Sequence, residues 1–296
     1  MVKEFEAYLK DVKGYSDKTI SSYIGDIQQF KAIMQDFGCY NDITLKDLNT
    51  VYIGQLSALQ LTASSRARKI SAVKTYFKFL HSMGEISQNV ARDMETPKLP
   101  KKVIKVMETD EVHNLIGNIV NENKGKRIDI DYFRNLTLLT LMLNTAIRRE
   151  EVVNIKVKDV NLSQSLILIH GKGDKERIVY FNDNVKYLLS EYIASHRELF
   201  KLSYNSEYLF LTQKSEKMNV ATVNRIFNKY IDKANLSDKG FTVHTMRKTC
   251  ATEMYKRSGD IYAVKGMLGH ASLETTQRYA KLGEEQKRMA AMAVNL

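Results

Sequence analysis

The chain has 296 residues, 44% hydrophobic and 27% charged with only two prolines, which suits two globular, largely helical domains and excludes a disordered chain. No apolar run is long enough to span a bilayer, the opening MVKEFEAYLK is too charged for a signal peptide, and two distant cysteines, Cys39 and Cys250, suggest a reducing, cytoplasmic setting without a metal cluster. A net charge of +11 leaves two readings, a protein that meets a polyanion such as nucleic acid or a basic enzyme kept soluble by its charge.

The first periodic stretch is SDKTISSYIGDIQQFKAIMQDFG. Ser16 is placed to cap it, and Ile20, Tyr23, Ile24, Ile27, Phe30, Met34 and Phe37 form one stripe, so a helix is expected up to Gly38. TASSRARKISAVKTYFKFLHSMG repeats the scheme with Ile70, Val73, Phe77 and Leu80 inward. Its opposite face carries Arg68, Ser71, Thr75 and Lys78, which could lie along a phosphate backbone and position it without reading bases. An ordinary solvated surface fits that face as well.

Both prolines fall in ETPKLPKKVIKV. Pro97 and Pro100, set among lysines, disfavour helix, so residues 96–106 read as an extended linker between domains at 1–95 and 107–296.

The second domain mixes element types. NLTLLTLMLNT, residues 135–145, reads as a buried helix, and SLILIHGKGDKERIVYF, residues 165–181, as a β-hairpin, with helices from there to Leu296. Lys172 sits between two glycines at the hairpin tip, where the backbone can approach a ligand closely. The loop lacks the spacing and the Ser/Thr of a P-loop, and a plain charged turn is the alternative.

In LNTAIRREEVVNI one helix ends at Thr145-Ala146 and another begins near Glu150-Glu151, leaving Arg148 at the junction. A cation beside a helix N-terminus faces the wrong end of the dipole, so Arg148 wants either an anionic ligand or a pairing with Glu150 or Glu151. HTMRKTCATEMY sets His244 and Arg247 in the first turn of a helix, whose free N–H groups also favour an anion, while Met246, Cys250 and Met254 point elsewhere. In MLGHASLETTQRYAKL, Gly269 can end a helix, His270 follows, Ser272 can cap the next, and Tyr279 falls about two turns into it. Alone, such a tyrosine is ordinary packing.

Taken in order, TAIR (Arg148), GKGDK (Lys172), HTMR (His244 and Arg247), MLGH (His270) and TTQRY (Tyr279) resemble the catalytic motifs of the tyrosine recombinase (phage integrase) family. Each motif is weak singly, but all of them in order, at the family's spacing and over nearly the whole chain, are hard to obtain by chance. The length is most like that of the compact Xer-like branch. Ala146 departs from the family's usual glycine and Ala271 from its usual serine.

The resemblance implies a mainly α fold with a small antiparallel β-sheet or hairpin in the catalytic domain. A helical, SAM-like core-binding domain and the catalytic domain would together clamp duplex DNA. It also implies site-specific cleavage and rejoining through a 3′-phosphotyrosyl intermediate, serving integration, excision or dimer resolution. Tyr279 would be the nucleophile, Arg148 and Arg247 the phosphate ligands, Lys172 the general acid, and His244 and His270 supporting groups, with Glu151 as the family's acidic residue. No cofactor, metal, membrane or small-molecule substrate is implied. The partners would be a DNA recombination site and further protomers of the chain or a paralogue in a tetrameric synapse. The tail after Tyr279 would dock on a neighbouring protomer, although packing on its own domain also fits. The competing readings are a catalytically silent DNA-binding protein on the same scaffold and a type IB topoisomerase-like enzyme. The intact set of six side chains speaks against silence.

Overall fold

The computed structural model describes residues 1–98, 104–122, 130–171, 176–197, 206–214, 216–269, 272–273 and 276–277, which divide into two compact units, Met1–Lys102 and Val103–Leu296. Lys172, His270, Ala271, Tyr279 and the tail, and part of the expected linker, lie outside the described residues.

The first unit is helical. α1 (Val2–Ala7) runs on into a wider turn at Tyr8–Val12, then come α2 (Asp17–Ile33), α3 (Leu45–Asp47), a wide turn at Leu48–Tyr52, α4 (Ile53–Ala58) and α5 (Ala63–Ser82). α2 and α5 pack on each other around Phe5, Leu9, Ile27, Phe30, Tyr52 and Phe77, all fully buried. Ser16 precedes α2 in an extended conformation, but the helix stops at Ile33, short of the expected Gly38. Met34 leaves the helical backbone and Phe37 N–H donates to its carbonyl at 3.0 Å, turning the chain so that Tyr40 meets Tyr76 edge-on at 5.8 Å. Aromatic packing across the core outweighs local helix preference there.

α5 starts at Thr62, whose Oγ1 accepts from Ser65 N–H at 3.2 Å. Ile70, Val73, Phe77 and Leu80 are wholly buried, and Arg68, Ser71 and Lys78 exposed. The guanidinium of Arg68 holds the buried carboxylate of Asp26, which Lys69 also reaches at 2.8 Å. Ser71 lies 3.3 Å from the Tyr23 hydroxyl, and Thr75 Oγ1 donates to the Ser71 carbonyl at 2.8 Å.

The second unit comprises α6 (Thr109–Glu122), α7 (Ile130–Thr145), α8 (Arg149–Val152), β1 (Val160–Asn161), β2 (Leu166–His170), β3 (Glu176–Tyr180), α9 (Asp183–Glu191), α10 (Val220–Lys233), α11 (Val243–Ser258) and α12 (Ile261–Leu268). α7 is the central helix: Leu138, Leu139, Leu141 and Met142 are buried, and α6, α9 and α11 pack around it. The strands form one antiparallel sheet in the order β1-β2-β3, with Ile167 opposite Val179 and His170 opposite Glu176. β1 adds to the expected hairpin a strand too short to show a period. Before α6, Met107 N–H donates to Thr249 Oγ1 at 2.8 Å, seating the extended residues 104–108 on α11. Among the described residues no helix is long and apolar enough to cross a membrane.

Candidate active site

α7 presents the first arginine by ending abruptly. After Thr145, Ala146 takes a left-handed backbone with φ +54°, and Arg148 follows in an extended conformation just before α8. That backbone costs an alanine about 1 kcal/mol relative to glycine. Burial offsets it, because the methyl is sealed among Cys250, Ala251, Val264 and Leu268.

Arg148 then folds back on the next turn. Its N–H donates to Glu151 Oε2 and its Nη1 to Glu151 Oε1, both at 2.8 Å. Of the two carboxylates offered by the sequence, Glu151 and not Glu150 is the one that Arg148 meets. A second cation arrives from β3. Arg177 donates from Nη1 to Glu151 Oε1 at 2.8 Å and from Nη2 to Oε2 at 2.7 Å, a two-point fork. Two guanidinium groups therefore share one carboxylate and leave a net positive charge. Burial pushes the Glu151 carboxyl up, but the Arg177 fork, the Arg148 N–H and the two positive charges outweigh it and hold the group below its ordinary value.

α11 supplies the facing wall. It begins after Thr242, whose N–H donates to Thr245 Oγ1 at 3.0 Å. Arg247 is only 6% exposed; its Nη1 donates to the Ala146 carbonyl and its Nη2 to the Leu268 carbonyl at 2.6 Å. The two carbonyls fix the direction of the guanidinium. The residue that aims Arg148 thus also anchors Arg247.

His244, almost one turn earlier, is exposed. Loss of water around the ring's inner side lowers its pKa, the Arg149 charge adds to this with Arg247 and Lys248, and Glu150 opposes them. A neutral imidazole at neutral pH offers one donor and one acceptor. Arg149 itself pairs with Glu150 at 3.0 Å and reaches Asn224 on α10 at 3.3 Å.

α12 is capped by Asp260, whose Oδ1 accepts from Tyr262 N–H at 2.8 Å and Ala263 N–H at 3.1 Å. It closes on Gly269 in the left-handed conformation, φ +62°. Its last carbonyls face two arginines, buried Arg247 and half-buried Arg177: Met267 accepts from Arg177 Nε at 3.2 Å, and Leu268 from Arg247.

Arg148, Glu151, His244 and Arg247 thus lie on adjoining pieces of α7–α8 and α11. Lys172, His270 and Tyr279 lie outside the described residues, though β2 and β3 flank the first in sequence and α12 leads into the second. Arg68, Ser71, Thr75 and Lys78 belong to the other unit. Sequence reasoning missed Arg177. Its signal was the strand period: Arg177 shares the inward side of β3 with buried Val179, while Ile178 and Tyr180 are exposed.

The model of the phage integrase family matches residues 105–286, and that of the phage integrase N-terminal SAM-like domain residues 2–84. The chain is 30% identical over 290 residues to the tyrosine recombinase XerD of Staphylococcus epidermidis, spanning 97% of this chain and 96% of that one. It is 29% identical over 281 residues to the tyrosine recombinase XerC of Lactobacillus delbrueckii subsp. bulgaricus, spanning 94% and 92%. In fold it matches the XerH site-specific recombinase bound to palindromic difH substrate in a post-cleavage complex, with TM-score 0.76, 22% identity, and 99% and 84% of the two chains covered.

Proposed function

The chain belongs to the phage integrase family, and from that premise we propose that it is a tyrosine recombinase that cuts and rejoins duplex DNA at a specific site in the cytoplasm, through a 3′-phosphotyrosyl intermediate. Residues 1–95 are the core-binding domain, 96–106 the linker and 107–296 the catalytic domain.

The phenolic oxygen of Tyr279 attacks phosphorus, the bond to the 5′ oxygen breaks, and Lys172 gives that oxygen a proton. A second 5′-OH then gives its proton to Lys172 and attacks the phosphorus of the phosphotyrosine; the bond to Tyr279 breaks, and the 3′ phosphate is joined to a new strand. The ester conserves the energy of the broken bond, so rejoining needs no ATP. Tyrosine has a reference pKa of ~10, so about one in a thousand is ionised at neutral pH. The nearby cations Arg148 and Arg247 lower that cost.

Charge that grows on the non-bridging oxygens is met by Arg148 and Arg247, which stay charged and bind phosphate at two points. A neutral His244 donates a hydrogen bond to the same oxygens or takes the phenol proton. His270 adds a further phosphate contact. The DNA-bound enzyme works as a tetramer of this chain or with a paralogue, its tail docked on a neighbour. Arg68, Ser71, Thr75 and Lys78 give the first unit a face for the DNA backbone.

One observation carries this reading. Arg247 is buried and tied to the Ala146 and Leu268 carbonyls, which join the segment bearing Arg148 to the segment leading into His270. The test is covalent capture. The chain mixed with sheared, randomly nicked genomic DNA of its host should yield protein–DNA adducts that survive denaturing detergent. Duplex binding without any adduct would mark a silent binding protein instead.

A further inference from the structure

We propose that Arg177 is a positioning residue for DNA cleavage, which keeps Arg148 available to the phosphate by sharing Glu151 with it and weakening the carboxylate's hold on it. The proposal rests on the reading of the site given above.

Arg177 reaches across 26 positions of sequence to grip both oxygens of Glu151, at 2.7 and 2.8 Å. Its side chain is 13% exposed, on the inward side of β3 opposite Ile169, where an apolar residue would suit the core as well. Its Nε holds the Met267 carbonyl at 3.2 Å, and a Cβ on Gly269 would fall 2.9 Å from Arg177 Cδ. The glycine therefore gives the arginine room to pass under the end of α12. These contacts fix Arg177 in a single path toward Glu151.

The consequence is electrostatic. A carboxylate with one guanidinium partner binds it strongly and cancels its charge. Glu151 has two, and the less exposed one, Arg177, takes both oxygens, whereas Arg148 is 34% exposed and makes a single side-chain bond at 2.8 Å. A phosphate oxygen then competes for Arg148 against a carboxylate already satisfied elsewhere. Without Arg177, Glu151 would draw Arg148 in as its sole counterion. Removing the Glu151 charge as well should set Arg148 free again.

The test uses single-turnover cleavage of a nicked duplex carrying the site recovered by sequencing the DNA that the wild-type chain traps. Arg177→Met should slow covalent capture at least about ten-fold while duplex affinity stays within about three-fold, since the lost interaction acts in the transition state. The double variant Glu151→Gln/Arg177→Met should then capture at least about three-fold faster than Arg177→Met alone, a non-additive rescue that loss of packing would not produce. Arg177→Lys, with and without Glu151→Gln, repeats the comparison if methionine impairs folding, as judged by the thermal melt. Cleavage by the single variants at the wild-type rate, or no gain in either double variant, overturns the proposal. A wild-type chain that traps no DNA removes the reading of the site beneath it, and so the two failures are told apart.

Discussion

The Ala146 carbonyl accepts a hydrogen bond from Arg247, so a left-handed residue at the end of α7 is locked by the buried arginine of α11. At this position Ala146→Gly relaxes the backbone but loses a buried methyl and loosens the unfolded chain. We expect it to lie within about 1 kcal/mol of wild type. Ala146→Val puts a branched side chain at positive φ in a sealed pocket and should cost about 2 kcal/mol or more. Denaturant unfolding of both variants measures this, and equal stabilities would contradict the left-handed backbone.

Acid should weaken the second unit in stages. His244 has a lowered folded pKa, so its contribution is complete above the reference value of 6.5 and is lost as pH falls through the folded value. Burial raises the Glu151 carboxyl, but Arg177 and Arg148 hold it low, so its contribution persists below 4.5 and vanishes as pH falls through the folded pKa. Glu122, desolvated but gripped by Lys233 and Lys229, is lowered to about 2, and its contribution is lost as pH falls toward that value. Unfolding free energy against pH should therefore decline below about 6.5 and more steeply below about 4.5. Glu151→Gln should flatten the lower limb; an unchanged limb would contradict the ion pair.

The two exposed cations of α5 should behave differently. Arg68→Ala leaves the buried Asp26 carboxylate with Lys69 and should cost the first unit about 1–3 kcal/mol. Lys78→Ala touches no such partner and should stay within about 0.5 kcal/mol of wild type. If this face tracks DNA, Lys78→Ala lowers the slope of log affinity against log salt by about one. Duplex binding across a salt series checks both; an unchanged slope would return Lys78 to the ordinary solvated surface.

Much of the fold was legible because burial imposes a period. Ile70, Val73, Phe77 and Leu80 repeat at helical spacing and are buried, and the apolar alternation of β2 and β3 announced a hairpin. The end of α2 was not, because Tyr40 packs on Tyr76 and Phe77 through contacts distant in sequence. In the site, Arg148 and Glu151 are three residues apart on one turn, so their pairing was among the options that local spacing offered. Arg177 was silent because its meaning lies in a carboxylate on another element and in the room left by Gly269. Its phase with Val179, against exposed Ile178 and Tyr180, was the one local trace.

Arg148, Lys172, His244, Arg247 and His270 are proposed to meet at one scissile phosphate, with Tyr279 as the nucleophile. Peptide mapping of the covalent adduct after nuclease digestion tests it most directly. The nucleotide remnant should sit on the peptide containing Tyr279, and Tyr279→Phe should form no adduct while still binding duplex DNA within about three-fold. A remnant on another tyrosine, such as Tyr255 or the exposed Tyr262, or an adduct that survives Tyr279→Phe, would contradict it.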